Sequence, residues 1–597
     1  MTPKRKTDMP RSEYPRCQFV RKDWLCLNGE WQFEIDAGDS GISRGLLQRR
    51  LAEKIIIPFS PSTKMSGINN PDHLIAVWYR REVDIPSDWA GRKTLLHFQG
   101  VSTDATVWVN GKEMYRHRGG WTPFTVDLSK AAAPGERATI VLRARHDTRR
   151  RGPYGKQSLS GVGDSPRRIT GIWQTVWMEP VAQLHMKRPR ITPDVGNHCF
   201  RIVQPISSNR KGCRVRARLF WRGRQLAAAE VPADRDFAPS LDLLVPEDQI
   251  HLWGPGEGNL YDIELELLDG AGEVVDAAAA YAGLRSITID GMAVKINGKA
   301  VFQRLVLDQG QYLDSSLTGP SDQMLRKDIE LAMAAGFNGA RFHEKVFEER
   351  SLYHADRLGY LVWGEFGDWG YDADNPSLEM VTQWQEELQR DYNHPCIIGW
   401  CGLNETVKAL DDTIQPLDMI TRAMFQAAKA IDTTRPVLDA SGHAHRVPET
   451  DVWDSHDYDF RNNPAEWATH HDKLAEGEPH ENIPNWLGEI INLRYGGQPY
   501  FCSEIGGLWW APRDADDEKS WGYGGRCESE EQFLARNKFY LDRMLDHPLI
   551  FGYCYTQLTD TGCEQNGVVY QDRSLKFDLA KFKALQDRPA AIELTND

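Results

Sequence analysis

The chain has 597 residues, 41% of them hydrophobic and 26% charged, and a formal net charge of −14. That length exceeds one compact core, since domains run to about 100–200 residues and barrels to about 250, and the composition is that of a folded chain, not a disordered one. The acidic balance speaks against nucleic acid or an anionic membrane as the main partner, because both reward a concentrated basic face.

There is no apolar span of about 18 residues that would cross a membrane, and the opening MTPKRKTDMPRSEYPR carries no apolar signal core. A cytoplasmic protein is expected, provided no leader preceded this start. Ten Cys occur without a CxxC pair or zinc-type spacing, which predicts reduced, mostly buried thiols. Twenty Trp suit a carbohydrate ligand, although core packing accounts for most of them.

Residues 1–19 read as an N-terminal extension. Residues 20–183 then give many short strands with turn punctuation, among them AVWYRREVDI, TLLHFQG, ATVWVNGKEMY and QTVWMEPV, with Asn110-Gly111 as a strong hairpin signal. They predict a β-sandwich of jelly-roll type. Residues 184–287 continue the strand pattern over the length of one immunoglobulin-like sandwich. Neither β segment contains a convincing acid/base constellation.

From 288 to 597 amphipathic helices alternate with short apolar strands. Leu325, Ile329 and Met333 form a four-residue repeat opened by Ser321 or Asp322 and closed by Gly336, as in a capped helix. Leu417, Ile420, Met424, Ala428 and Ile431 repeat the pattern. The strands VFQRLVL, NGARF, YLVWG, IIGWCGL, PVLD, DVWDS, YFCS and IFGYCYT number eight, the count for a (β/α)8 TIM barrel.

A barrel of this kind carries its active site at the C-terminal strand ends. Glu365, Glu405 and Glu504 all follow strands, and the ends of the fourth and seventh strands face one another across the barrel mouth. Two carboxylates about 5–5.5 Å apart are what retaining glycoside hydrolysis requires, one ionised as nucleophile and one protonated as acid. Asn404, beside Glu405, could then hydrogen-bond a sugar hydroxyl near the reacting carbon. His443 and His445 could share one strand face, but two histidines alone do not define a metal site, and no metal is assigned.

At these residues the chain resembles glycoside hydrolase family 2. The resemblance runs through LNGEWQFEID, DATVWVNG with HRGGWTPFTVDL, GIWQTVWMEP, LWGPGEGNLYDIELEL, YAGLRSITI, FNGARFHEKV, ADRLGYLVWGE, NHPCIIGWCGLNE and CSEIGG. It implies the jelly roll, immunoglobulin-like sandwich and TIM barrel, with Glu405 as acid/base, Glu504 as nucleophile, Asn404 on the sugar 2-hydroxyl and Arg341 holding the nucleophile ionised. Asp308, Gln309, His343, Trp363, Glu365, His456, Tyr458 and Gln557 lie near strand ends and are expected to line the pocket.

Two positions depart from the family pattern. Gln557 stands where members often have a Trp at the end of the last strand, and Asn566 is followed by Gly and Val where glucuronidases carry Asn-x-Lys. The expected activity is therefore a retaining exo-acting β-glycosidase for a neutral terminal sugar, β-galactosidase-like, with galactofuranosidase or arabinosidase specificity as the variant. A carbohydrate-binding protein without catalysis and a transglycosylase are the rivals. No cofactor is required by this chemistry, although Mg²⁺ or Na⁺ near the site is compatible with it. The expected partner is a glycoside or oligosaccharide, and the resemblance is compatible with a homo-oligomer.

Overall fold

In the strand Arg137–Arg145, alternation buries Ala138, Ile140, Leu142 and Ala144 on one face, as a half-buried antiparallel strand requires. The computed structural model describes residues 9–146, 152–159, 161, 165–368, 378–405, 416–481, 492–514 and 519–595. Arg137–Arg145 lies inside a six-stranded antiparallel sheet, which faces a four-stranded sheet containing Lys93–Phe98 and Val176–Val181. Their inner faces share one core around Trp31, Tyr79, Phe98 and Leu142. At the expected hairpin, Asn110 and Gly111 both take positive φ, 50° and 79°, the pair of left-handed residues that a type I′ turn needs.

The second sandwich packs a three-stranded sheet against a four-stranded one, the latter centred on Arg214–Trp221 and Tyr261–Leu268. A small three-stranded sheet, Ile287–Asp290, Ala293–Ile296 and Lys299–Ala300, follows and sends Ala293, Val294 and Ile296 into the barrel core. The chain thus enters its α/β part through a β-meander.

All eight barrel strands form as read: β1 Gln303–Asp308, β2 Gly339–Phe342, β3 Leu361–Glu365, β4 Ile397–Cys401, β5 Val437–Leu438, β6 Trp453–Asp457, β7 Tyr500–Ile505 and β8 Ile550–Tyr555. They pair in parallel in the order β5-β4-β3-β2-β1-β8-β7-β6, so β8 closes onto β1. The helix Asp322–Ala334 begins at Ser321, whose hydroxyl accepts from the Met324 amide at 3.1 Å, and Gly336 follows it at φ 96°. Among the described residues the ten cysteines form no disulfide, and nine are buried. No described helix is long and apolar enough to cross a membrane.

The sandwiches are locked onto the barrel by specific polar contacts. Trp253 Nε1 donates to the Asp356 carbonyl at 2.7 Å, and Arg285 donates to the carbonyls of Pro395 and Ile397 at 2.6 and 2.8 Å. A loop of the first sandwich reaches the mouth, where the Gly155 amide donates to the Gly367 carbonyl at 3.1 Å. A β carbon on Gly155 would come within 2.1 Å of the Glu344 carbonyl oxygen, and its φ is 63°. Glycine is therefore required at this approach.

Candidate active site

Arg341, the last residue but one of β2, has 1% of its surface exposed. Its guanidinium meets four acceptors from strands β3 and β7 and the segment after β4: Glu365 Oε1, Glu504 Oε1 at 3.2 Å, the Ser503 carbonyl at 2.7 Å and Asn404 Oδ1 at 3.1 Å. A planar fork with five donors suits this geometry, and lysine could not span it. Because Oδ1 of Asn404 is taken by Arg341, the buried Nδ2 is left without a partner. The Asn404 amide donates to Asp368 Oδ2 at 3.3 Å.

Glu405 follows β4 in the left-handed region, φ 48°, a conformation that costs energy for a residue with a side chain and concentrates at functional sites. Its amide is held by the Ser441 carbonyl at 2.7 Å. The side chain retains 20% exposure, against 4% for Glu504. One carboxylate thus faces outward and the other is enclosed.

Across β6 and β7, His456 is in register with Glu504, next to a shift between Ser455 and His456. Such irregularities re-aim side chains. His456 Nδ1 lies 3.0 Å from Glu405 Oε1 and 3.4 Å from Glu504 Oε2, so these two distances cap the separation of the carboxylate oxygens at 6.4 Å. Nε2 is 3.0 Å from the Ser441 hydroxyl, which donates to Asp454 Oδ2 at 2.9 Å. The ring also fills the space beside Gly442, where a β carbon would come within 2.6 Å of it.

The electrostatics follow from this packing. Burial opposes charge on His456, but Glu504 and the hydrogen bond to Glu405 outweigh it and raise its pKa. Burial likewise opposes ionisation of Glu504, and His456 and Arg341 overcome it, so its pKa falls despite the nearby Glu405. Glu405 is held well below the carboxylate range: burial works against this, and His456, Lys156 and His443 prevail. Glu365, buried between Arg341 and His343, is brought down to about 2 by those two residues against the cost of burial.

His343 gives Nδ1 to Glu365 Oε2 at 2.8 Å, and its buried Nε2 has no partner. Tyr458 donates its hydroxyl to Glu504 Oε2 and meets Thr556 Oγ1 at 2.8 Å. Its ring stacks on Tyr523 with centroids 3.7 Å apart. Glu365 supports Arg341 and His343 from behind the two carboxylates.

Four expected pocket residues, Trp363, Gln309, Gln557 and Asp308, are engaged by other protein groups. Trp363 is 1% exposed, stacks on Phe501 and donates Nε1 to Gln303 at 2.8 Å. Its ring covers Gly399, where a β carbon would meet it at 2.6 Å, so it packs inside the barrel. Gln309 and Gln557 bind each other at 2.7 Å, and Gln557 continues to Asn566 at 3.0 Å, which donates to Glu564 at 3.0 Å. Asp308 accepts from the Gly310 amide at 2.8 Å, and burial with the Asp328 charge raises it to about 6.

Ser441, His443, Asp368, Tyr523 and Lys156 are site residues that strand-end reading did not select. Ser441 and Asp368 follow strands β5 and β3, and that position was the available signal. His443 and His445 part company: His443 Nε2 is 3.1 Å from Glu405 Oε1, whereas His445 bridges Asp439 and Asp454 at 2.8 and 3.1 Å. Glu405, His443 and His456 offer ligand atoms within 4.8 Å of one another. Two imidazoles do not suit Mg²⁺ or Na⁺, hard ions that take oxygen ligands.

The comparisons fit this geometry. The model described as "Glycosyl hydrolases family 2, sugar binding domain" matches residues 25–149, "Glycosyl hydrolases family 2" matches 184–285, and "Glycosyl hydrolases family 2, TIM barrel domain" matches 293–480. A β-glucuronidase of Paenibacillus borealis is 26% identical over 445 residues, covering 69% of this chain and 72% of the relative. A β-galactosidase of Enterobacter cloacae is 23% identical over 600 residues, covering 88% of this chain and 55% of the relative. The chain therefore spans about half the length of that β-galactosidase. The crystal structure of a Ruminococcus gnavus β-glucuronidase superposes with a TM-score of 0.77 at 18% identity, covering 98% of this chain and 99% of the other. Sandwich, sandwich and barrel, matched in order by three models of one family, make this chain a member of glycosyl hydrolase family 2.

Proposed function

We propose that this protein is a retaining exo-β-glycosidase acting on a neutral terminal sugar, β-galactosidase-like, with Glu504 as nucleophile and Glu405 as acid/base. The observation that carries the reading is the His456 bridge, which holds Glu405 Oε1 and Glu504 Oε2 within 6.4 Å of each other, the close approach that a retaining pair of carboxylates about 5–5.5 Å apart needs.

In the first step Glu504, kept ionised by Arg341 and His456, attacks the anomeric carbon as Glu405 protonates the leaving oxygen. A proton on His456 Nδ1 can pass along the 3.0 Å hydrogen bond to Glu405, which makes the acid available although Glu405 alone holds a proton poorly. In the second step Glu405 takes a proton from water, which attacks the glycosyl ester and releases the sugar with its configuration retained. Asn404 Nδ2 is the donor left for the 2-hydroxyl, a bond that strengthens as the oxocarbenium-like transition state forms. Side chains supply every step, so no cofactor is needed.

The neutral sugar is supported by Asn566, which is followed by Gly and Val where glucuronidases carry Asn-x-Lys. A galactofuranoside or arabinoside fits the same support. One observation favours a uronide instead: the Lys156 ammonium from the first sandwich acts on both Glu405 and His343. Cysteines that form no disulfide among the described residues support a reducing compartment, such as the cytoplasm.

The test is nitrophenol release from β-galactopyranoside, β-glucuronide, β-mannoside, β-galactofuranoside and α-L-arabinosides, with Glu504→Gln as blank. Mutation-sensitive turnover of a neutral glycoside is expected. Turnover of the glucuronide alone would replace the neutral sugar by the uronide, and silence on all glycosides, including oligosaccharides, would contradict the enzyme.

A further inference from the structure

The segment that follows β5, residues 441–443, holds Glu405 by its backbone and by its side chain. The Ser441 amide donates to the Leu403 carbonyl at 2.8 Å, and the Ser441 carbonyl accepts from the Glu405 amide at 2.7 Å, so Asn404 and Ser441 form a parallel bridge. Two residues on, His443 places Nε2 3.1 Å from Glu405 Oε1. His456 Nδ1 reaches the same oxygen at 3.0 Å, and the two rings cross at 77° with centroids 5.8 Å apart. Two imidazoles, one after β5 and one within β6, therefore converge on a single carboxylate oxygen.

The two rings are not equivalent. The Ser441 hydroxyl gives its one hydrogen to Asp454 and so accepts from His456 Nε2, while His456 Nδ1 faces a carboxylate; both nitrogens of His456 then donate. His443 is held differently. Its Nδ1 is buried with no hydrogen-bond partner among the described residues, and its Nε2 has the Glu405 contact alone, off the hydrogen-bond line. Burial, helped by the His456 charge, lowers its pKa against the pull of Glu405, so the ring stands neutral beside the carboxylate. A ring 7% exposed with its nitrogens so poorly satisfied is costly to keep, and catalytic contacts are often out of line before substrate arrives.

We propose, resting on the assignment of Glu405 as acid/base, that His443 is the positioning residue for that acid. Its Nε2–H and the Nδ1–H of His456 together fix the plane of the Glu405 carboxyl, so that the acid meets the leaving oxygen in line. Glu405 needs such contacts because it leaves its strand at φ 48° and its side chain keeps 20% exposure. A neutral imidazole supplies the second contact without adding a second positive charge to the one on His456. The requirement is steep, since about 1 Å of misplacement can cost about 10²-fold in rate.

The test measures kcat/KM of the full chain for a phenyl and a dinitrophenyl glycoside of the sugar that the parent cleaves. The phenyl leaving group needs a proton from Glu405, and the dinitrophenyl group does not. His443→Ala should lower kcat/KM for the phenyl glycoside about 10–100-fold and leave that for the dinitrophenyl glycoside unchanged. His443→Gln, whose amide nitrogen reaches the place of Nε2, should recover most of the loss. His443→Asn, which reaches only as far as Nδ1, should not, and this pair decides the matter if the alanine variant fails to fold. In a Glu405→Gln background His443→Ala should cost nothing further. Parental rates in every His443 variant, equal losses on both glycosides, equal behaviour of the glutamine and asparagine variants, or an added loss in the Glu405→Gln background would overturn this role and leave Glu405 its own. A parent that cleaves no glycoside would overturn the assignment of Glu405 and this role together.

Discussion

Arg341 Nη2 donates to Asn404 Oδ1 at 3.1 Å, and this one bond orients both the cation beneath the nucleophile and the amide beside the acid. With Oδ1 engaged, the amide must present Nδ2 to the substrate. Asn404→Ala should therefore lower kcat/KM by about 10²–10³ with little change in melting temperature. A 2-deoxy glycoside should suffer a similar loss on the parent enzyme and no further loss on the variant. Independent losses would remove the 2-hydroxyl from this residue.

Arg341 neutralises two buried carboxylates, Glu365 and Glu504. Arg341→Ala should destabilise the protein by about 3–5 kcal/mol, the usual result of removing one partner from a buried ion pair, and abolish turnover. Arg341→Lys keeps the charge without the fork, and should recover part of the stability but little of the activity. Urea denaturation and steady-state kinetics on both variants check this.

Glu405→Gln retains the shape of the acid and loses its proton. Cleavage of aryl glycosides with poor leaving groups should collapse, and dinitrophenyl glycosides, whose leaving group needs no proton, should still form the glycosyl-enzyme. A uniform loss across leaving groups would assign Glu405 a binding role instead.

His445, buried between Asp439 and Asp454, is raised to about 10 by those two carboxylates against the cost of burial. A raised folded-state pKa contributes stability that is fully present below the ordinary histidine value near 6.5 and lost as pH rises toward about 10. The stability gap between the parent and His445→Gln should accordingly be largest near pH 6, on the order of 3–5 kcal/mol, and shrink by pH 10. Thermal melts at stepped pH measure it, and a gap that widens with pH would reverse the assigned charge.

The strand ends were legible because each barrel strand is a short apolar run followed by polar residues, as in IIGWCGLNE and YFCSEIGG. Trp363 was misplaced for a related reason: every residue of β3 is buried, so no alternation distinguishes the interior face from the mouth. The His456–Glu504 contact depends on a register shift between β6 and β7, and no sequence pattern encodes that. Lys156 and Tyr523 reach the site through loop packing, Lys156 through the close approach of Gly155 to the barrel. The inter-domain docking that fixes such loops is a property of surfaces, and local periodicity does not report it.

The division of labour between the two carboxylates is tested most directly by azide rescue of Glu504→Ala and Glu405→Ala, with an aryl β-glycoside that the parent enzyme cleaves. With Glu504 as nucleophile, Glu504→Ala should regain activity in azide and release the α-glycosyl azide, of inverted configuration. With Glu405 as acid/base, Glu405→Ala should release the β-azide, with configuration retained. The opposite stereochemistry, or parental rates in either variant without azide, would contradict the assignment.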